Sequence, residues 1–135
     1  MKRRMAPAPS NGYRVLVVDD DQAVLKTYSR LLRRAGFDAV PVADPLQVLA
    51  NAPEGIDLML LDYRMPGIDG LSLLAELRKR ECFAPAILVS ACLSEDVVSQ
   101  ARLLGVARVL EKPVDARDLR GYVFELLRPA IERPA

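Results

Sequence analysis

The sequence predicts an α/β fold in which helices cover both faces of a five-stranded parallel sheet. Two observations carry this. Five short apolar runs, at 14–18, 39–42, 57–61, 86–89 and 108–110, alternate with five longer stretches of helical period. Apart from Arg14, Asp57 and Arg108 at their first positions, the runs are continuously apolar rather than apolar at every second residue, the pattern of strands buried on both faces.

The elements justify this in order. The run at 14–18 is β-branched and ends in Asp19-Asp20-Asp21. Residues 22–35 follow, with Val24, Tyr28, Leu31, Leu32 and Ala35 at helical spacing and Gly36 placed to end the helix. After the strand at 39–42, Asp44 can cap a helix that has Pro45 at its first position and runs to about Asn51. The run 57–61 leads into Asp62. Residues 71–80 are helical, with Leu71, Leu74, Ala75 and Leu77 inward. The run 86–89 ends at Ser90. Ser94 caps the next helix, with Glu95 and Asp96 in its first turn, Arg102 in its last and Gly105 beyond it. The run 108–110 precedes Glu111-Lys112-Pro113, and Asp115 caps a last helix with Leu119, Val123 and Leu126 inward. Right-handed crossovers leave few ways to connect a (βα)5 chain. The expected one is the open doubly wound, flavodoxin-like sheet of strand order 2-1-3-4-5.

This assigns residues 13–128 to one domain, with a disordered leader over 1–12 and a short tail over 129–135. Composition narrows the function. Of 135 residues about half are apolar, enough for one core, and the formal net charge is +1. A nucleic-acid module would show a basic excess or stripe, whereas the basic cluster here is Lys2-Arg3-Arg4, read as a solvated tail. Direct nucleic-acid binding is therefore not expected. The longest apolar runs are far short of a membrane span, and no secretory leader is visible. A cytoplasmic protein with Cys82 and Cys92 as reduced thiols is expected. The absence of histidine removes His-based catalysis and makes a zinc site a poor fit.

In such a sheet, ligands sit outside the carboxyl ends of the strands. Those ends deliver Asp19 and Asp20, then Asp62, then Ser90, then Lys112. Each alone has an ordinary reading: an Asp after a strand caps a helix, a Lys before Pro belongs to a loop. Asp21 keeps that reading, as the start of the first helix. All of them together on one edge are better explained by chemistry. Three close carboxylates repel one another unless a cation joins them, and Mg²⁺ suits an all-oxygen site that also takes phosphate oxygens. A carboxylate can attack phosphorus to give an aspartyl phosphate. Metal, ammonium and hydroxyl would each stabilise the charge on the transferred group.

Four segments carry a family resemblance: Val15-Leu-Val-Val-Asp-Asp-Asp21, Asp57-Leu-Met-Leu-Leu-Asp-Tyr-Arg-Met-Pro-Gly-Ile-Asp-Gly70, Ile87-Leu-Val-Ser-Ala91 and Glu111-Lys-Pro113. They resemble the receiver domains of two-component response regulators, over roughly residues 13–128. The resemblance implies phosphorylation of Asp62 by a histidine kinase or histidine phosphotransfer protein. It implies Mg²⁺ held by Asp20, Asp62 and the backbone carbonyl of Arg64, with Asp19 mostly acting through water. Ser90 and Lys112 would contact phosphoryl oxygens, and the Lys112–Pro113 peptide would be cis. The protein would be a signalling phosphoacceptor and not an enzyme on other substrates. It would act on a downstream effector protein, with no membrane partner and with room for a phosphorylation-dependent dimer. Met65-Pro66 and Asp69-Gly70 would shape the loop.

Three positions depart from the family's habit. Val109 stands where an aromatic switch residue is usual, Val106 where a small residue is common, and Arg108 where an acidic one is frequent. Arg64 and Cys92 stand where side chains flank the hydrolytic water, and neither is a good base, so a slow self-hydrolysis is expected. Partner recognition is expected along the first helix, at Gln22, Leu25 and Lys26, with Leu25 exposed, and beside the fifth strand. Two other readings are open. Asp19 and Asp21 form the D-x-D of a haloacid-dehalogenase-like phosphohydrolase, although Ala23 replaces the expected Thr or Val and the chain has no room for a cap. A non-phosphorylated docking module is the other. A dinucleotide-binding domain is excluded by the lack of a Gly-rich loop after the first strand.

Overall fold

The computed structural model describes residues 12–131, with side chains described through residue 128. The expected leader therefore lies outside the described residues, apart from Gly12. The elements run β1 (Arg14–Val18), α1 (Gln22–Arg34), β2 (Asp38–Val42), α2 (Pro45–Ala50), β3 (Leu58–Asp62), α3 (Gly70–Lys79), β4 (Ala86–Ser90), α4 (Glu95–Leu103), β5 (Arg108–Glu111) and α5 (Ala116–Ile131). The five strands form one parallel sheet of order β2-β1-β3-β4-β5, the expected fold class and topology.

Alternation along the strands builds two apolar layers. Val15, Val17, Leu58, Leu60, Ile87 and Val89 face one side, where α1 and α5 add Leu25, Tyr28, Leu32, Leu119, Val123 and Leu127. Leu16, Val18, Met59, Leu61, Ala86 and Leu88 face the other, against Val48 of α2, Leu73, Leu74 and Leu77 of α3, and Val97 and Ala101 of α4. Each fully buried aliphatic side chain contributes roughly 1.5–3 kcal/mol.

The helix starts follow from single capping side chains. Asp21 accepts from the amides of Ala23 and Val24, Asp44 from Leu46, Asp69 from Ser72, Ser94 from Val97 and Asp115 from Arg117 and Asp118. Each cap is worth ~1 kcal/mol. Asp21 thus has the structural role expected of it. Gly36 takes φ +94° just past α1, a left-handed conformation that costs glycine little.

The inward faces of three helices differ from expectation. In α1 the buried residues are Leu25, Tyr28, Ser29 and Leu32, while Val24 and Leu31 are half-buried. Leu25, expected to be exposed, is 8% accessible and belongs to the core. The cause is that α1 packs against both the sheet and α5, which rotates its apolar face toward Leu25. In α5, Leu127 is buried and Leu126 only half-buried, while in α3, Leu73 is buried and Ala75 half-buried. Helix α5 runs to Ile131.

Candidate functional site

Strand register brings the candidate residues to one edge. Val18 pairs with Leu61, so Asp19 and Asp62 are the next residues out on neighbouring strands. Asp62 pairs with Val89, one residue before Ser90, and Ser90 pairs with Glu111, one residue before Lys112. Backbone bonds fasten the strand ends together: the Tyr63 amide donates to the Val89 carbonyl at 2.8 Å and the Lys112 amide to the Ser90 carbonyl at 2.8 Å. The Lys112–Pro113 peptide is cis.

The Lys112 ammonium donates to Asp19 Oδ2 at 3.0 Å and lies 3.1 Å from Asp62 Oδ1, bridging two carboxylates that are almost wholly buried. Asp19 Oδ1 accepts the Asp21 amide at 2.9 Å, which fixes that carboxylate in place. Asp20 is exposed at the rim. Asp19, Asp20 and Asp62 each offer an oxygen, all within 4.8 Å of one another. Ser90 is fully buried, and its hydroxyl turns back on its own loop. It donates to the Cys92 carbonyl at 2.9 Å and accepts the Cys92 amide at 3.2 Å. The structure thus groups Asp19, Asp20, Asp62 and Lys112, and sets Ser90 beside them with its hydroxyl engaged elsewhere.

The family model described as "Response regulator receiver domain" matches residues 15–124. The chain belongs to that family. As a receiver domain it is 31% identical over 120 residues to the chemotaxis protein CheY of Treponema pallidum, covering 86% of this chain and 83% of that protein. It is 38% identical to the transcriptional regulatory protein PrrA of Mycobacterium leprae, covering 85% of this chain but only half of PrrA. A CheY-like receiver domain protein from Methanospirillum hungatei superposes with TM-score 0.81 at 28% identity, over 87% of this chain and 94% of that one. A chain of the CheX-CheY-BeF3-Mg²⁺ complex from Borrelia burgdorferi gives TM-score 0.73 at 26% identity, over 85% of this chain and 89% of that one. Response regulator receiver domains are signalling proteins, and they bind Mg²⁺ at an acidic pocket.

The electrostatics of this receiver's cluster suit such an ion. Burial pushes the Asp62 carboxyl above the ordinary carboxylate range, and the charges of Asp19 and Asp20 add to that. The hydrogen bond and charge of Lys112 pull the other way without cancelling it. For Lys112, burial works against the ammonium, but its bonds to Asp19 and Asp62 and their charges prevail, so its pKa is raised. The site holds more negative charge than one lysine neutralises, and its donors are hard oxygens, so Asp19, Asp20 and Asp62 fit Mg²⁺.

Around this centre, Arg64 is exposed in the loop between β3 and α3, and Cys92 is exposed after β4. Val109 packs half-buried against the layer formed with α2, α3 and α4. Both cysteines are free thiols. The D-x-D reading loses its second acid, because the Asp21 carboxylate caps α1. From its spacing alone Tyr28 reads as a core residue of α1. It lines a groove together with Lys112, and its helical spacing carried no sign of that.

Proposed function

We propose that this receiver accepts a phosphoryl group on Asp62 from the phosphohistidine of a histidine kinase or phosphotransfer protein. The observation that carries this is the buried Asp62 carboxylate, bridged by Lys112 to Asp19 with Asp20 at the rim. The chain contains no histidine, so the phosphohistidine must come from the partner. An Asp62 oxygen forms the new P–O bond as the donor's P–N bond breaks. Lys112 pairs with one phosphoryl oxygen and Ser90 donates to another, stabilising charge spread over the transferring group. A Mg²⁺ ion held by Asp19, Asp20, Asp62 and the Arg64 backbone carbonyl would neutralise the carboxylates and the incoming oxygens.

The product carries nearly two added charges at neutral pH. These bias the Ser90 loop and α4 between two arrangements, read by an effector protein or by a phosphorylation-dependent dimer. The chain catalyses only its own phosphorylation and dephosphorylation. Among the described residues no helix is long and apolar enough to cross a membrane. Incubation with acetyl phosphate and Mg²⁺, followed by mass spectrometry, tests the reading. One phosphoryl adduct is expected on the wild type and none on Asp62→Asn or in EDTA. Stoichiometric labelling at another residue, or labelling undiminished by EDTA, would reject it.

A further inference from the structure

A groove of about 410 Å³ opens between α1 and the segment after β5, lined by Val24, Thr27, Tyr28, Lys112, Pro113 and Val114. Lys112 therefore has two environments. Its ammonium points into the acidic cluster, while the groove lies open beside it. A lysine side chain has four flexible carbons and carries about 2 kcal/mol of rotamer entropy. Where space adjoins it, the stem has room to swing while the ammonium exchanges Asp62 for a phosphoryl oxygen, and of its two carboxylate partners Asp19 alone holds it through that exchange.

Tyr28 enters the groove from α1. It is 9% accessible and belongs to the core layer beside Leu25 and Leu32. Its ring is packed in that layer, while its hydroxyl is not among the enclosed polar atoms without a partner and opens toward the groove. The hydroxyl nonetheless feels the site: burial raises its pKa, Lys112 opposes that, and Asp19 and Asp62 reinforce it.

We infer that Tyr28 is a positioning residue for Lys112: its ring walls the groove and keeps the lysine on the phosphoryl side. The inference rests on the phosphoacceptor reading and adds to it a residue on α1 that acts through Lys112 and not on the reacting atoms.

A double-mutant cycle on the full chain tests it, with initial rates of labelling by acetyl phosphate and Mg²⁺. Tyr28→Leu should slow labelling about fivefold, and Tyr28→Phe, which keeps the ring, should restore most of the rate. In a Lys112→Ala background the same Tyr28→Leu change should alter the rate by less than about twofold. Equal slowing in both backgrounds, or none in the wild-type background, would overturn the inference. NMR provides a readout independent of labelling and of variant folding. The wild type should show NOEs from the Tyr28 ring to the Lys112 side chain, and their absence would overturn the inference as well. A wild type that shows these NOEs but takes no phosphoryl group would overturn the phosphoacceptor reading instead and leave Tyr28 as the wall of Lys112.

Discussion

Replacing Asp62 by Asn should stabilise the metal-free protein, although it removes an ion pair. At an effective dielectric of ~20, unit charges 3.1 Å apart attract by about 5 kcal/mol, which is what the Lys112–Asp62 contact offers. Against it stands Asp19, whose ligand oxygen lies within 4.8 Å of that of Asp62, a repulsion of at least about 3.5 kcal/mol on the same scale. Asp20 adds a smaller repulsion, screened because it is exposed. Holding an ionised carboxylate out of water costs several kcal/mol more. In the variant Lys112 keeps Asp19 at 3.0 Å and is not orphaned. The balance favours the amide by about 2 kcal/mol, or roughly 5–10 °C in melting temperature for a domain of this size. The sign of the pH effect follows from the raised Asp62 pKa. Its favourable contribution is complete below the unfolded-state value and is lost as pH rises through the folded-state value. The gap between variant and wild type should therefore be widest at neutral pH and close on acidification. Mg²⁺ should close it too, by stabilising the wild type more than the variant. Thermal melts in EDTA and in Mg²⁺, at pH 7 and pH 4, measure all of this. A variant that melts at or below the wild type in EDTA at pH 7 would refute the reasoning.

Other substitutions probe the surroundings. Gly70 opens α3, and a Cβ there would fall on the Asp62 carbonyl oxygen and crowd Leu88, so Gly70→Ala should lower stability by about 3 kcal/mol and reduce labelling of Asp62; an unchanged urea midpoint would contradict it. Leu25→Ala should cost about 2–4 kcal/mol as a core truncation, while a loss under 1 kcal/mol by denaturant titration would mean that Leu25 is a surface residue after all. Arg64→Asn combined with Cys92→Glu should shorten the lifetime of the phosphorylated state about tenfold by supplying groups that orient the attacking water. Decay of the labelled protein, followed by mass, would count against this if it were unchanged or slower.

The fold was legible because the three central strands, β1, β3 and β4, are apolar along nearly their whole length and the helix starts carry their own caps. Leu58 to Leu61 has no polar residue to suggest an exposed face, and Asp44-Pro45 announces α2 unaided. The grouping of Asp19, Asp62 and Lys112 was legible because parallel register places successive strand ends side by side. Leu25 was misread because a helical period reveals that a face exists but not how far two neighbouring layers wrap around it. α1 meets both the sheet and α5, and its buried arc widens and turns. Tyr28 looked like one more apolar residue in that stripe, since only the tertiary path of the chain after β5 brings Lys112 beside it. The resting partner of Ser90 was equally hidden, as it depends on how one hydroxyl rotates in a short loop.

That hydroxyl has a single proton. In the resting arrangement it goes to the Cys92 carbonyl, and the Cys92 amide returns a bond to the same oxygen, so a two-residue loop is closed on itself. A phosphoryl oxygen on Asp62 would compete for that proton, and a bond to an anion is roughly twice as strong as one to a neutral carbonyl. The two claims are mutually exclusive. Each transfer of the proton toward the phosphate leaves a backbone carbonyl without its donor just ahead of α4. If Asp62 is phosphorylated as proposed, that vacancy in the main chain would give a receiver with Val109 at this position a way to report its state without a rotating ring, passed to α4 as the loop seeks a new donor.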